Sequence, residues 1–132
     1  MNRSERGIVA IEYILVAAIS IVLIFGALEL ARGAMLKHAL GVGAWTAARH
    51  LSLQPWDETT AENLARQAIA GSIMGGNPAT ATVTFIFGSG ARSFGSAVTV
   101  RVEMGYQALV PFLSLAPRTM AGESVVLVEA WP

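Results

Sequence analysis

The chain is 132 residues long, enough for one small domain and one further element. Nine basic and nine acidic residues cancel, which excludes an electrostatic footprint for nucleic acid or for an acidic substrate. Hydrophobic residues make up 54% and charged ones only 14%, against a usual charged share of about 25%; that balance suits a chain partly in lipid, and without cysteine disulfides and thiolate metal sites are excluded.

The chain begins MNRSERGIVAIEYILVAAISIVLIFGALEL, with Glu12 as the single charge between Ile8 and Leu28. As a helix rising 1.5 Å per residue, 8–28 is about 32 Å long, close to the roughly 30 Å hydrocarbon core of a bilayer. Arg3 and Arg6 precede the run, whereas Glu29 and Arg32 beyond it cancel. The positive-inside rule then predicts a cytoplasmic N-terminus and an extracytoplasmic remainder. A removable signal peptide has a shorter apolar core, about 7–15 residues, before a small-x-small cleavage site. The length of this run and the helical composition beyond it favour a retained membrane helix.

Glu12 lies about 6 Å inside the run by helix rise. A carboxylate at mid-bilayer costs roughly 2.5–3.5 kcal/mol on the insertion scale, and less near the edge. Two accounts compete. Glu12 either marks the membrane boundary and snorkels to water, or it pairs with a new α-ammonium on Ile8 once the chain is cut after Gly7. The second pairing would lie within one chain or between neighbours.

Residues 29–54 are rich in Ala and Leu and free of proline, so the helix is expected to continue outside the membrane. Its apolar face is poorly defined on a helical wheel. Ala39, Gly43 and Ala47 form a small-xxx-small ladder that suits either close approach of another helix or packing on the chain's own sheet. Gly41 and Gly43 each weaken the helix by about 1 kcal/mol and mark a candidate bend.

Pro55 breaks this helix, and residues 55–132 read as a small extracytoplasmic α+β domain. Thr59-x-x-Glu62 reads as a capping box. Ala61, Leu64, Ala65, Ala68, Ile69 and Ile73 follow at helical spacing, ended by Gly75-Gly76-Asn77-Pro78. The period then changes to two. Ala81, Val83, Phe85 and Phe87 alternate with Thr80, Thr82, Thr84 and Ile86, and Gly88-Ser89-Gly90 turns the chain. Val98, Val100, Val102 and Met104 alternate with Thr99, Arg101 and Glu103, and a third strand is predicted from Ser124 to Trp131. These segments predict a three-stranded antiparallel sheet with one face on the helices. Leu109-Val110-Pro111-Phe112-Leu113-Ser114-Leu115 is apolar but carries a proline, and reads as a loop that either packs into the core between sheet and helix or touches the membrane surface or a partner.

Catalysis requires convergent groups, and few are present. There is no cysteine nucleophile, no G-x-S-x-G elbow, no phosphate-binding glycine loop and no H-E-x-x-H. His38 and His50 would lie about 18 Å apart along one helix, too far to share a metal. Asp57, Glu58 and Glu62 sit where a helix start favours negative charge. Arg92 and Arg118 read as isolated loop charges. No catalytic, cofactor-binding or metal site is expected, and the chain is read as a non-enzyme.

One resemblance supplies what these patterns leave open. Gly7, four apolar residues and then Glu12-Tyr13, GIVAIEY, resemble the type IV prepilin processing site, and the Glu-Tyr pair resembles that of the Flp/Tad branch. ALELARGAMLKHALGVGAWTAAR is similar to the helix continuation of TadE-like pseudopilins, with Glu29, Arg32 and Ala47-Ala48-Arg49 at the acidic, arginine and AAR positions. The resemblance covers residues 4–50 closely and the rest in outline. It implies a pilin-like α+β fold and a leader, 1–7, removed between Gly7 and Ile8 by a prepilin peptidase. Glu12 and Tyr13 would then serve assembly. The implied role is a minor structural component of a Tad/Flp pilus apparatus in the bacterial inner membrane. Its implied partners are the major Flp pilin, other minor pseudopilins and the inner-membrane assembly platform. Major Flp pilins are little more than the helix, whereas this chain adds a domain. The alternative is a single-pass anchored binding module unrelated to pili.

Overall fold

The computed structural model describes residues 3–71, 77–88, 92–108 and 119–130. Helix α1 spans Arg3–Leu53 and helix α2 Glu58–Ala70. A 3-10 turn, Pro78–Thr80, leads into strand β1, Thr82–Phe87, followed by β2, Ala97–Gly105, and β3, Thr119–Leu127. The strands form one antiparallel sheet in the order β1-β2-β3. The fold is α+β: a long apolar N-terminal helix, a second helix and a three-stranded sheet.

Helix α1 has two halves with different surroundings. From Gly7 to Phe25 every residue is exposed, Gly26 is half-buried, and Ala27 and Leu28 are exposed again. The apolar side chains here stand exposed and belong to no core cluster among the described residues. This stretch is long and apolar enough to cross a membrane. From Glu29 onward one face is buried, through Gly33, Leu36, Leu40, Ala44, Ala48 and Leu51 with Ala39, Gly43 and Ala47 beside them.

Apolar side chains such as Val42 and Trp45 also stand exposed, so the apolar pattern by residue type is as diffuse as the sequence suggests, but the buried face is well defined. Its members are mostly Ala and Gly, weakly hydrophobic by residue type but small enough for backbones to approach closely. The candidate bend at Gly41 and Gly43 does not interrupt α1, which stays one helix through both. Packing across its small-residue face holds the segment despite the glycine propensity cost.

Two elements use the closeness. Strand β3 crosses α1 at Gly122, where a Cβ would stand within 3.0 Å of the Leu40 carbonyl group and the Gly41 nitrogen. Helix α2 lies against Gly43, where a Cβ would meet the Ala65 carbonyl oxygen at 3.0 Å. The sheet closes the core from the other side. Val98, Val100, Val102 and Met104 of β2 are buried, and Val83, Phe85 and Phe87 of β1 pack against them. The register sets Val83 opposite Val102, Phe85 opposite Val100 and Phe87 opposite Val98, so all three pairs share the helix-facing side.

Two boundaries differ from the sequence expectations. Helix α2 begins at Glu58 and its cap is Asp57, whose Oδ1 accepts from the Thr60 amide at 3.1 Å. Thr59 therefore lies inside the first turn. Glu62 pairs with Arg66 rather than closing a capping box. The third strand starts earlier and ends earlier than Ser124–Trp131. TMAGES lacks an alternating apolar pattern but enters the sheet because Met120 and Gly122 fit against α1. After Leu127 the chain turns to the end of α1, where Glu129 and Ala130 amides donate to the Ser52 carbonyl at 2.7 and 3.1 Å. Ala61, Ala65 and Ile69 form the buried face of α2. Ile73, Gly75-Gly76, Ser89-Gly90, Arg118, Trp131 and the apolar segment 109–115 lie outside the described residues.

Candidate functional site

The N-terminal part of α1 presents its singled-out residues to the surroundings. Gly7 has open space around it. Ile8 and Tyr13 are 66% and 78% exposed, so neither serves the chain's own core. Glu12 is exposed and has no ion-pair partner among the described side chains. Val9, Glu12, Tyr13 and Val16 lie on one helical face at i, i+3, i+4 and i+7 spacing. Gly7 sits in regular helix, where glycine costs about 1 kcal/mol relative to alanine and so eases local unwinding.

The ladder Ala39, Gly43 and Ala47 is occupied from within. All three are buried, and Gly43 faces Ala65 and Ile69 of α2. At Gly43 the close-approaching helix that the spacing permits is the chain's own α2.

One buried polar cluster escaped the sequence reading. Glu29, the first residue beyond the apolar run, is 1% exposed. Tyr106, just past β2, donates its hydroxyl to Glu29 Oε1 at 2.7 Å, with the Glu29 carbonyl oxygen also near at 3.2 Å. The Arg32 guanidinium lies 3.7 Å from Glu29 Oε2 and 5.8 Å from the centre of the Tyr106 ring. A buried carboxylate needs such partners, because leaving one uncompensated costs several kcal/mol. Burial raises the Tyr106 pKa above 10.0, and the hydrogen bond to Glu29 and its charge add to the effect. The cluster fixes the domain base to α1 at the point where the helix leaves the apolar run. Only the chain reversal through the sheet brings Tyr106 to Glu29, so neighbouring positions carry no signal of it.

A second cluster lies at the opposite end of the domain, where α1 ends. The Arg92 guanidinium stacks over Trp56 at 4.8 Å and over Phe87 at 4.2 Å. It donates to the Pro55 carbonyl at 2.8 Å and pairs with Glu58. Arg92 is thus no isolated loop charge: it ties the β1–β2 connection to the turn between the helices. Beside it His50 Nε2 lies 3.1 Å from Asp57 Oδ2. Hydrogen bonds from Thr60, through side chain and amide, hold the Asp57 carboxyl below its ordinary value, and His50 contributes less. Trp56 is 77% exposed. An open cavity of about 730 Å³ adjoins it.

His38 is exposed and far along α1 from His50. Among the described residues no three His, Asp or Glu side chains converge on a point where a metal ion would fit. No family model matches the chain, and neither a curated protein nor a solved structure matches it.

Proposed function

We propose that the chain is a minor pseudopilin of a Tad/Flp pilus apparatus. In this reading a prepilin peptidase cuts after Gly7, and Ile8–Leu28 anchors the mature protein in the inner membrane with the domain outside. The observation that carries it is the continuity of α1. The stretch after GIVAIEY is exposed and apolar, and the same helix then runs unbroken into the domain core. An exposed apolar helix rigidly attached to a small domain can sit in lipid before assembly and against other helices after it. The major Flp pilin, other minor pseudopilins and the membrane platform are the partners this reading calls for.

Cleavage would set an α-ammonium on Ile8 one helical turn from Glu12. Two desolvated charges then stabilise each other, and removing one leaves the other unpaired. Between subunits the same pair would set the axial register. The test is intact mass and N-terminal sequencing of protein extracted from a host with the cognate peptidase. The chain should begin at Ile8, and Gly7→Val should keep its leader; intact Met1 in the wild-type protein refutes the proposal. A binding module merely anchored by α1, a role the cavity beside Trp56 also suits, would keep residues 1–7 under the same measurement.

A further inference from the structure

We propose that the cavity at the far end of α1 binds an uncharged, hydroxyl-rich ligand, a neutral oligosaccharide, with Trp56 as its stacking platform. This inference rests on the geometry of the domain and not on leader cleavage.

The position comes first. From Leu28 to Leu53 the helix rises about 38 Å, so the Trp56 corner lies far from the apolar run. The aromatic comes second. A tryptophan left 77% exposed on a folded domain forgoes one of the largest burial gains a side chain can make. Arg92 covers one side of the indole and is itself fixed by Phe87, Pro55 and Glu58. The ring is therefore held in place with most of its surface in solvent. The slightly positive C–H bonds on one face of a pyranose ring complement the negative face of such an indole.

The polar groups decide the ligand class. Arg92 is paired with Glu58, and the Asp57 carboxylate accepts from the Thr60 amide with His50 Nε2 beside it. Among the described lining residues the one cation, Arg92, is already paired, so none is left over for a phosphate, sulfate or carboxylate. What remains is hydrogen-bonding capacity of both signs. The Arg92 guanidinium has five N–H donors, of which two are engaged by Pro55 and Glu58. The Gln54 amide and the Ser93 hydroxyl have no side-chain partner among the described residues, and both line the cavity. Each can donate and accept, as sugar hydroxyls do. Leu53, Pro55 and Ala130 supply apolar surface between these groups. A cavity of about 730 Å³ falls within the roughly 300–1,000 Å³ typical of small-ligand sites. A peptide would need a run of backbone partners, but the corner offers an aromatic face and scattered side-chain groups.

The test uses the full chain in lipid nanodiscs and isothermal titration with chitotetraose, cellotetraose and maltotetraose. At least one should bind saturably to a single site, with Kd near about 1 mM or tighter. Trp56→Ala should weaken that binding about tenfold or more, and Gln54→Ala by a few fold, at unchanged circular dichroism. Trp56 is exposed, so its truncation leaves the core intact. Absence of binding by all three sugars at about ten times that concentration overturns the proposal. So does undiminished binding by Trp56→Ala. Binding of a sulfated heparin tetrasaccharide or a proline-rich peptide, with the neutral sugars inert, overturns it equally.

Discussion

Replacing Gly122 by alanine tests the central packing claim of this fold, that β3 reaches α1 backbone to backbone. The added Cβ would stand within 3.0 Å of the Leu40 carbonyl carbon and oxygen and of the Gly41 nitrogen. All three are main-chain atoms, so no rotamer change relieves the overlap. Restoring ordinary contact at about 3.5–4.0 Å means moving strand and helix apart by roughly 1 Å. A gap of that size forfeits about a quarter to a half of the dispersion energy at each contact it opens. The neighbours, Leu40 on α1 and Val102 paired with Gly122 on β2, are both buried, so the loss spreads. Overpacking in a core costs about 1–3 kcal/mol, and rigid backbone on both sides argues for the upper end. At about 3 kcal/mol the melting temperature of a domain this size falls by roughly 12–24 °C. Near-UV circular dichroism of the full chain in detergent is the assay, since it reports packing of the domain rather than the helicity of 8–28. Gly41→Ala is the matched control. It sits next to the same contact but has open space around it, so it should be neutral or stabilising by about 0.5–1 kcal/mol. A Gly122→Ala protein that melts with the wild type would refute the close approach.

Tyr106→Phe keeps the ring and removes the hydroxyl from buried Glu29; chemical denaturation should show a loss of about 1–3 kcal/mol. The raised Tyr106 pKa has its own signature: its stabilising effect is full below the unfolded value of 10.0 and is lost as pH rises through the higher folded value. Tyrosinate absorbance followed with thermal melts checks this: the gap between wild type and Tyr106→Phe should narrow as pH rises beyond 10.0, and a gap that stays constant would contradict it. Asp57 works in the opposite direction. Its folded pKa lies below 3.8, so its contribution is full above that value and fades as pH falls through the folded one; Asp57→Ala should lower the melting temperature at neutral pH and flatten its decline in acid. Glu12→Ala should leave cleavage and membrane insertion intact but sharply reduce co-purification with pilin-like partners, and undiminished recovery with normal pilus assembly would make Glu12 a boundary residue only.

Periodicity determined much by itself. The uncharged length after Tyr13 shows the apolar helix, because lipid-spanning length is a property of composition alone. Strict alternation over Val83–Phe87 and Val98–Met104 shows two strands and which residues face inward, because a strand's two faces are separated by a fixed period. The face of α2 is legible for the same reason. Tertiary structure decided what depends on partners distant in the chain. The Ala and Gly face of α1 has little hydrophobic signal of its own, and its meaning appears only when Gly122 and Ala65 come against it. The start of β3 in TMAGES depends on that same contact, since no local pattern marks it. Asp57 displaces Thr59 as the cap because Pro55 and the turn after α1 fix where α2 can begin. Glu29 reads in sequence as a flank charge cancelled by Arg32, yet the sheet carries Tyr106 to it and buries it. Arg92 likewise gains Trp56, Phe87 and Glu58 only through the fold. A side chain's preference for lipid, helix or strand is local, whereas the partners of a buried or stacked charge are set by chain reversals that separate residues in sequence and join them in space.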